Sequence, residues 1–257
     1  MSAILVQRTD HVATVILNRP ERLNALNRPM WSGLAETFAS ISSDLAVRCV
    51  VLTGAGRSFS PGADISEFAD ERGDPDQAFA YGEVMAQVYR EIQACPHPVV
   101  ASIRGPCTGA GLVLALASDL RVSAESGRFG APVSRLGLAM PLPEFAILFD
   151  AIGKTRTLEV LFEATVMDAN RACEIGLVNR VVADGELDKT VTELAAKICA
   201  GAPLVNRWHK KFAQRLIAGG ELSADEIKSS YESFGTNDYR EGFQAFLDKR
   251  SPRFRGE

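Results

Sequence analysis

Two short stretches of this chain could do chemistry with backbone groups alone. Arg57-Ser58-Phe59-Ser60-Pro61-Gly62-Ala63-Asp64 and Cys107-Thr108-Gly109-Ala110-Gly111 each follow a β-rich run, turn at glycine and lead toward a helix. The amides of Ala63 and Ala110 could then converge on one oxygen that gains negative charge, as a carbonyl does on becoming an enolate. Small residues suit such a hole, because a bulky neighbour would hold the carbonyl away, and a helix beginning near Ala110 would add its positive dipole end. Glycine turns before helices also occur throughout α/β proteins, so spacing leaves a purely structural reading open.

One carboxylate stands close by in an apolar setting, Glu144 in Ala139-Met140-Pro141-Leu142-Pro143-Glu144-Phe145. In a pocket, desolvation would raise its pKa toward the value a general base needs. Pro143 equally fits the first position of a helix, where the next residue, an acid, favours the dipole at no functional cost. Both readings stay open. Asp64, Glu67 and Asp70 follow the first turn, and Asp64 is read as a binding or structural residue of the turn itself.

Other motifs fail on their spacing. Gly153-Lys154-Thr155 lacks the earlier glycine of a Walker loop, whose place is taken by Leu148, and is read as a helix junction. The glycines at 105, 109 and 111 do not make a dinucleotide fingerprint, and no GxSxG elbow is present. His11, His97 and His209 share no spacing that suits a metal site or a triad. The five cysteines are scattered, with no CxxC pair, and are read as core fillers in a reducing compartment.

These residues need elements to position them. Ile4 to Arg8 and Val12 to Leu17 predict an opening hairpin, and a helix is expected over Arg28 to Ser43. Val47 to Leu52 and Pro98 to Ile103 are compact β-branched runs that feed the two glycine turns, the second leading into a helix over Leu112 to Ser118. Repeated strand, turn and helix units predict an α/β core over residues 1–200. From Gly201 onward only helical patterns remain, at Leu204 to Ile217, Ala224 to Phe234 and Arg240 to Leu247, predicting a helical module over residues 201–257.

Composition agrees with an ordinary globular protein: 257 residues, 46% hydrophobic and 23% charged, with a formal net charge of -4. That charge, with signs interspersed, offers no basic field for nucleic acid but leaves room for a small anionic ligand. No apolar run approaches the roughly 18 residues of a membrane span and no signal peptide is evident, so a cytoplasmic protein without a membrane partner is expected.

At this level of detail the chain resembles the crotonase (enoyl-CoA hydratase/isomerase) superfamily. Asn18-Arg19-Pro20-Glu21-Arg22-Leu23-Asn24-Ala25-Leu26 is similar to its N-R-P-x-x-L-N-A-L signature. The two glycine turns resemble its oxyanion loops, and Gly176 to Val182 and Glu241 to Arg250 complete the likeness. The resemblance implies an α/β spiral of β-β-α units, with C-terminal helices that pack subunits into a homotrimer or a dimer of trimers. It implies a bent acyl-CoA as substrate or ligand and no metal or redox cofactor. Residue by residue, it places Ala25, Ala63, Asp64, Ile65 and Ser66 along the adenine and pantetheine path, Arg22 at a phosphate, and Phe246 and Lys249 over the nucleotide.

The resemblance also exposes departures. The two glutamates that hydratases of this family use fall on Val113 and Val133, and a third acidic position falls on Pro141. None can move a proton, so a two-carboxylate hydration is not expected. Two readings follow: an isomerase or atypical hydratase with Glu144 as its single acid and base, or a catalytically silent acyl-CoA carrier or sensor. An enolate-forming decarboxylation ranks behind both. Phe68, Tyr81, Met85, Tyr89, Leu142 and Phe145 are candidates for an acyl tunnel or for plain core.

Overall fold

The computed structural model describes residues 2–257. The opening hairpin forms as β1 (Ile4–Thr9) and β2 (Val12–Leu17), turning at Asp10 with φ +49°. Helix α1 (Arg28–Ser42) is capped by Asn27, whose side chain accepts from the Met30 amide. It leads into β3 (Cys49–Gly54). A single helical turn, α2 (Phe68–Glu71), precedes α3 (Pro75–Ala94), which starts on the Asp74 cap. Next come β4 (Val99–Ile103), β5 (Pro106–Thr108), α4 (Ala110–Leu116), β6 (Leu120–Ala124) and β7 (Arg128–Gly130).

Helix α5 (Leu142–Glu163) is two helical segments broken at Gly153, with φ +71° and ψ 172°. The Gly-Lys-Thr is indeed a helix junction. The chain continues through β8 (Met167–Asp168), α6 (Ala169–Glu174), β9 (Arg180–Val182) and α7 (Leu187–Ala200). It closes with α8 (Pro203–Ile217), α9 (Ala224–Ser229) and α10 (Asn237–Leu247).

The main sheet runs β1-β2-β3-β4-β6-β9, antiparallel only between β1 and β2, and a small sheet runs β5-β7-β8. Both faces of the central strands are covered, which is why they read as unbroken apolar runs. Val50 and Leu52 of β3 enter the large core with Trp31, Phe38 and Tyr89. Cys49 and Val51 point the other way, onto Leu187, Val191 and Ala195 of α7. Buried Lys210 ties α8 to this body through Asp119 at 2.8 Å and the carbonyls of Ile92 and His97.

Some boundaries differ from expectation. The helix after the second turn begins at Ala110, two residues early, since Gly109 itself supplies the break. Glu144 is the third rather than the second helical residue, because α5 starts at Leu142 with Pro141 as its cap. The segment expected as one helix over Ala224 to Phe234 splits into α9 and a 3-10 turn over Glu232–Gly235. Cys49, Cys95 and Cys107 fill cores, whereas Cys173 and Cys199 are only partly buried.

Candidate functional site

The NRPERLNAL stretch builds the first wall of the site. Leu23 and Asn24 both take positive φ, +54° and +64°, which carries the fully buried Asn24 amide under the first glycine loop. There Nδ2 donates to the carbonyls of Ala55 (2.9 Å) and Ser58 (2.7 Å), while Oδ1 accepts from the Arg19 amide at 2.9 Å. Both amide hydrogens and the carbonyl oxygen of this side chain are engaged, which holds the knot in place. Ser60 adds a bond from its hydroxyl to the Asn24 carbonyl at 2.9 Å.

The first loop is fastened to the second. The Ser60 amide donates to Pro106 O at 2.8 Å, Thr108 N returns to Ser60 O at 3.1 Å, and the Thr108 hydroxyl donates to Pro61 O at 2.8 Å. Gly62 (φ +111°) and Gly109 (φ +53°) take conformations that L side chains rarely adopt. At Gly62 a Cβ would lie 2.9 Å from Thr108 O and 3.2 Å from the Ala110 amide nitrogen, so the two loops touch at this glycine.

This closeness leaves two donors free. Ala63 pairs with Leu26 in a parallel bridge in which Leu26 N donates to Gly62 O and Asp64 N donates to Leu26 O. The Ala63 N–H therefore points to the opposite side. Ala110 is the first residue of α4, where an N–H has no partner within the helix. Both residues line a cavity of about 320 Å³, and neither N–H finds an acceptor among the described residues. A pair of such donors can hold an oxygen that develops charge.

The cavity wall is mostly apolar. Ile65, Phe68 and Met85 line one side, and Val133, Leu136, Leu138 and Pro141 line another. Among its lining residues Glu144 is the only acid, and Arg72 the only base. Glu144 is 9% exposed, and burial pushes its carboxyl up to about 7, against the opposing pull of the Arg72 charge. Tyr89 is fully buried beside it, its hydroxyl raised well above the usual phenol range by burial first and then by the Glu144 charge.

The sequence-expected residues divide into groups. Ala63, Ile65, Ala110 and Glu144 meet on the cavity, as do Val133 and Pro141. Val113 lies in the core behind it, fully buried. Asp64 is committed to the loop: it accepts from Ser66 N and Oγ and pairs with Arg19 at 3.1 Å. These bonds, the Ser66 hydroxyl first, hold its carboxyl below the usual range. Arg22 and Ser66 are exposed and Ala25 is half-buried, all near the first loop.

Phe246, 82% exposed on α10, and Lys249 beyond it do not reach this cavity within the chain. Of the tunnel candidates, Phe68 and Met85 line the cavity. Tyr81, Tyr89 and Phe145 pack behind it, and Leu142 faces outward. Arg72 was not among the expected residues. Its only signal in the sequence is a base immediately after the single turn of helix that follows the first loop. No cluster of three or more metal-ligating side chains, and no helix long and apolar enough to cross a membrane, occurs among the described residues.

Comparison with known proteins gives one direction. The enoyl-CoA hydratase/isomerase family model matches residues 7–257. A short-chain-enoyl-CoA hydratase of Clostridium acetobutylicum is 32% identical, over 97% of this chain and 96% of its own length. A 1,2-epoxyphenylacetyl-CoA isomerase of Escherichia coli is 33% identical over the whole of both. Among solved structures, an enoyl-CoA hydratase/carnithine racemase from Magnetospirillum magneticum superposes with a TM-score of 0.99. It is 47% identical, over 100% of this chain and 97% of that one.

Proposed function

The chain belongs to the enoyl-CoA hydratase/isomerase family and has its α/β fold, and from that premise we propose that it isomerises an enoyl thioester of coenzyme A through an enolate. The observation that carries this is a single buried carboxyl, Glu144, on the wall that also bears the free Ala63 and Ala110 amides. In the proposed reaction the thioester oxygen sits between the two amides. The Glu144 carboxylate takes a proton from C2 of a 3-enoyl ester, and the electron pair moves onto the oxygen, which the amides stabilise. Protonated Glu144 then returns that proton at C4, the C2–C3 double bond forms, and the carboxylate is regenerated. One acid and base suffices because one proton leaves and one arrives.

Hydration would ask for a second group to activate water. Val133 and Pro141 occupy the cavity wall where the family resemblance puts acids, and Val113 is core. This favours isomerisation over hydration. The same feature favours, as a second reading, a carrier or sensor that binds the ester without turnover, since a hole for an enolate also accepts a ground-state carbonyl.

The coenzyme A portion is proposed to run past Ala25, Ala63, Asp64, Ile65 and Ser66, with Arg22 near a phosphate. Phe246 and Lys249, remote from the cavity within one chain, would close over the nucleotide of a neighbouring copy in a homotrimer or a dimer of trimers.

The test is α-proton exchange: saturated, 2-enoyl and 3-enoyl CoA esters are incubated with the protein in D₂O, following mass and double-bond position. Deuterium at C2 and C4, lost by on the order of 10²-fold or more in Glu144→Gln, is expected. Tight binding with no exchange and no isomerisation would leave the carrier reading standing instead.

A further inference from the structure

Arg72 is out of place on an apolar wall. Its guanidinium lies 4.1 Å from the Tyr81 ring centroid and 4.6 Å from that of Phe68, so the two rings hold it. Rings contribute no acceptor in the guanidinium plane, where its five N–H donors point. There the side chain finds one soft contact, Nη2 to Met85 Sδ at 3.0 Å, and its buried Nε has no partner among the described residues. No carboxylate near it in sequence pairs with it: Asp70 makes no ion pair among the described residues, and Asp74 caps α3 by accepting from the Gln77 amide at 2.8 Å. Glu67 accepts from the Tyr81 hydroxyl and the Arg28 amide, both at 3.0 Å, and Glu71 pairs with the Arg28 guanidinium. Glu144 shares the cavity but makes no ion pair with Arg72. A cation without an ion pair, oriented by packing, facing a ligand cavity and felt there by the Tyr81 hydroxyl and the partly protonated Glu144, is placed to meet an acceptor that arrives with the ligand.

Resting on the reading of this cavity as an acyl-CoA site, we propose that Arg72 selects acyl groups that carry a carboxylate at their far end. The substrate class is then the mono-CoA thioester of a dicarboxylic acid. The remaining wall supports this choice. Phe68, Met85, Leu136 and Leu138 suit the methylenes between the two ends, and the charged end would otherwise be stranded among them. A planar carboxylate matches the guanidinium fork in a way that a single hydroxyl does not. Burial keeps much of Glu144 protonated near neutral pH, so it repels a second carboxylate less than an exposed glutamate would.

Matched pairs test the proposal: butyryl-CoA against succinyl-CoA, and hexanoyl-CoA against adipoyl-CoA, titrated calorimetrically into wild type, Arg72→Met and Arg72→Lys. In at least one pair the diacid ester is expected to bind wild type about tenfold or more tighter than its neutral partner. That ratio should fall to within about twofold in Arg72→Met and to an intermediate value in Arg72→Lys, which keeps the charge but not the fork. Neutral esters binding wild type as tightly as diacids in both pairs would overturn the selectivity while leaving the acyl-CoA site intact, as would a preference that survives Arg72→Met. Failure of all four esters to bind would remove the acyl-CoA reading itself. Should Arg72→Met not fold, the wild-type ratio and its change in Arg72→Lys decide.

Discussion

Glu144 is held where its charged form is disfavoured, and that has a thermodynamic signature independent of catalysis. An unperturbed glutamate titrates near 4.5, whereas this one is pushed up to about 7 by burial. Between those values the folded chain holds a proton that the unfolded chain has released, so stability falls as pH rises through the window. Below it both states are protonated and nothing is lost. Above it the full cost applies, about 3 kcal/mol for a shift of this size. Glu144→Gln stays neutral throughout, so urea unfolding should show it gaining about that much over wild type between about pH 4.5 and 8. A gap independent of pH would mean that the carboxyl is solvated. The exchange rate should run the other way, rising with pH and levelling off above about 7 as the base ionises.

At the scale of elements, the site depends on how two loops fasten each other. Gly62→Ala is the sharpest probe, because the added Cβ would lie 2.9 Å from Thr108 O and 3.2 Å from the Ala110 nitrogen. The loops must part, and the two amides with them, so turnover is expected to fall about 10²-fold or more. Activity close to wild type in a variant that melts cooperatively would dissociate these amides from the chemistry. Part of this scaffold was legible in sequence, although β5 and β7, which fasten the second loop, were not. β-branched runs flanked by glycine mark β3 and β4, the hairpin ends come out within a residue, and the two turns are named by their glycines. Helices α3 and α7 are not delimited by the same reasoning, although Tyr81, Met85 and Tyr89 show the spacing of one face of α3. Arg72 escapes it for a different reason. A long side chain just past a one-turn helix can point to solvent or to a cavity, and the rings of Phe68 and Tyr81 that decide the matter lie 4 residues before it and 9 after. The burial of Glu144 is equally a tertiary property, since its helix-end position reads the same whether or not a cavity lies beside it.

For the whole molecule, the informative surface is at the C-terminal end. Helices α8 to α10 and the segments between them leave Leu216, Ile217, Tyr231, Phe234, Phe246 and Leu247 exposed, a concentration of large apolar side chains that a lone chain in water does not favour. With the expected trimer or dimer of trimers, those residues would be covered. Sedimentation velocity at micromolar concentration should therefore give a mass three or six times that of the chain. A monomer across the accessible concentration range would leave Phe246 and Lys249 without a nucleotide to close over.

The fastening of the second loop also fixes when in the life of the chain the site can exist. Gly109 N donates to Gly130 O at 2.9 Å, and Arg128 N to Gly105 O at 2.9 Å, so the turn that presents Ala110 is braced by a strand made some twenty residues later. Glu144 and the helix that bears it come later still. A ribosome that has released the first glycine loop has therefore produced half of a pair whose other half lacks its brace. A nascent chain stalled short of residue 130 lacks Gly130 O, the acceptor that holds Gly109, and so lacks the completed cavity. A ligand held by both loops and Glu144 would meet its complete site only late in folding.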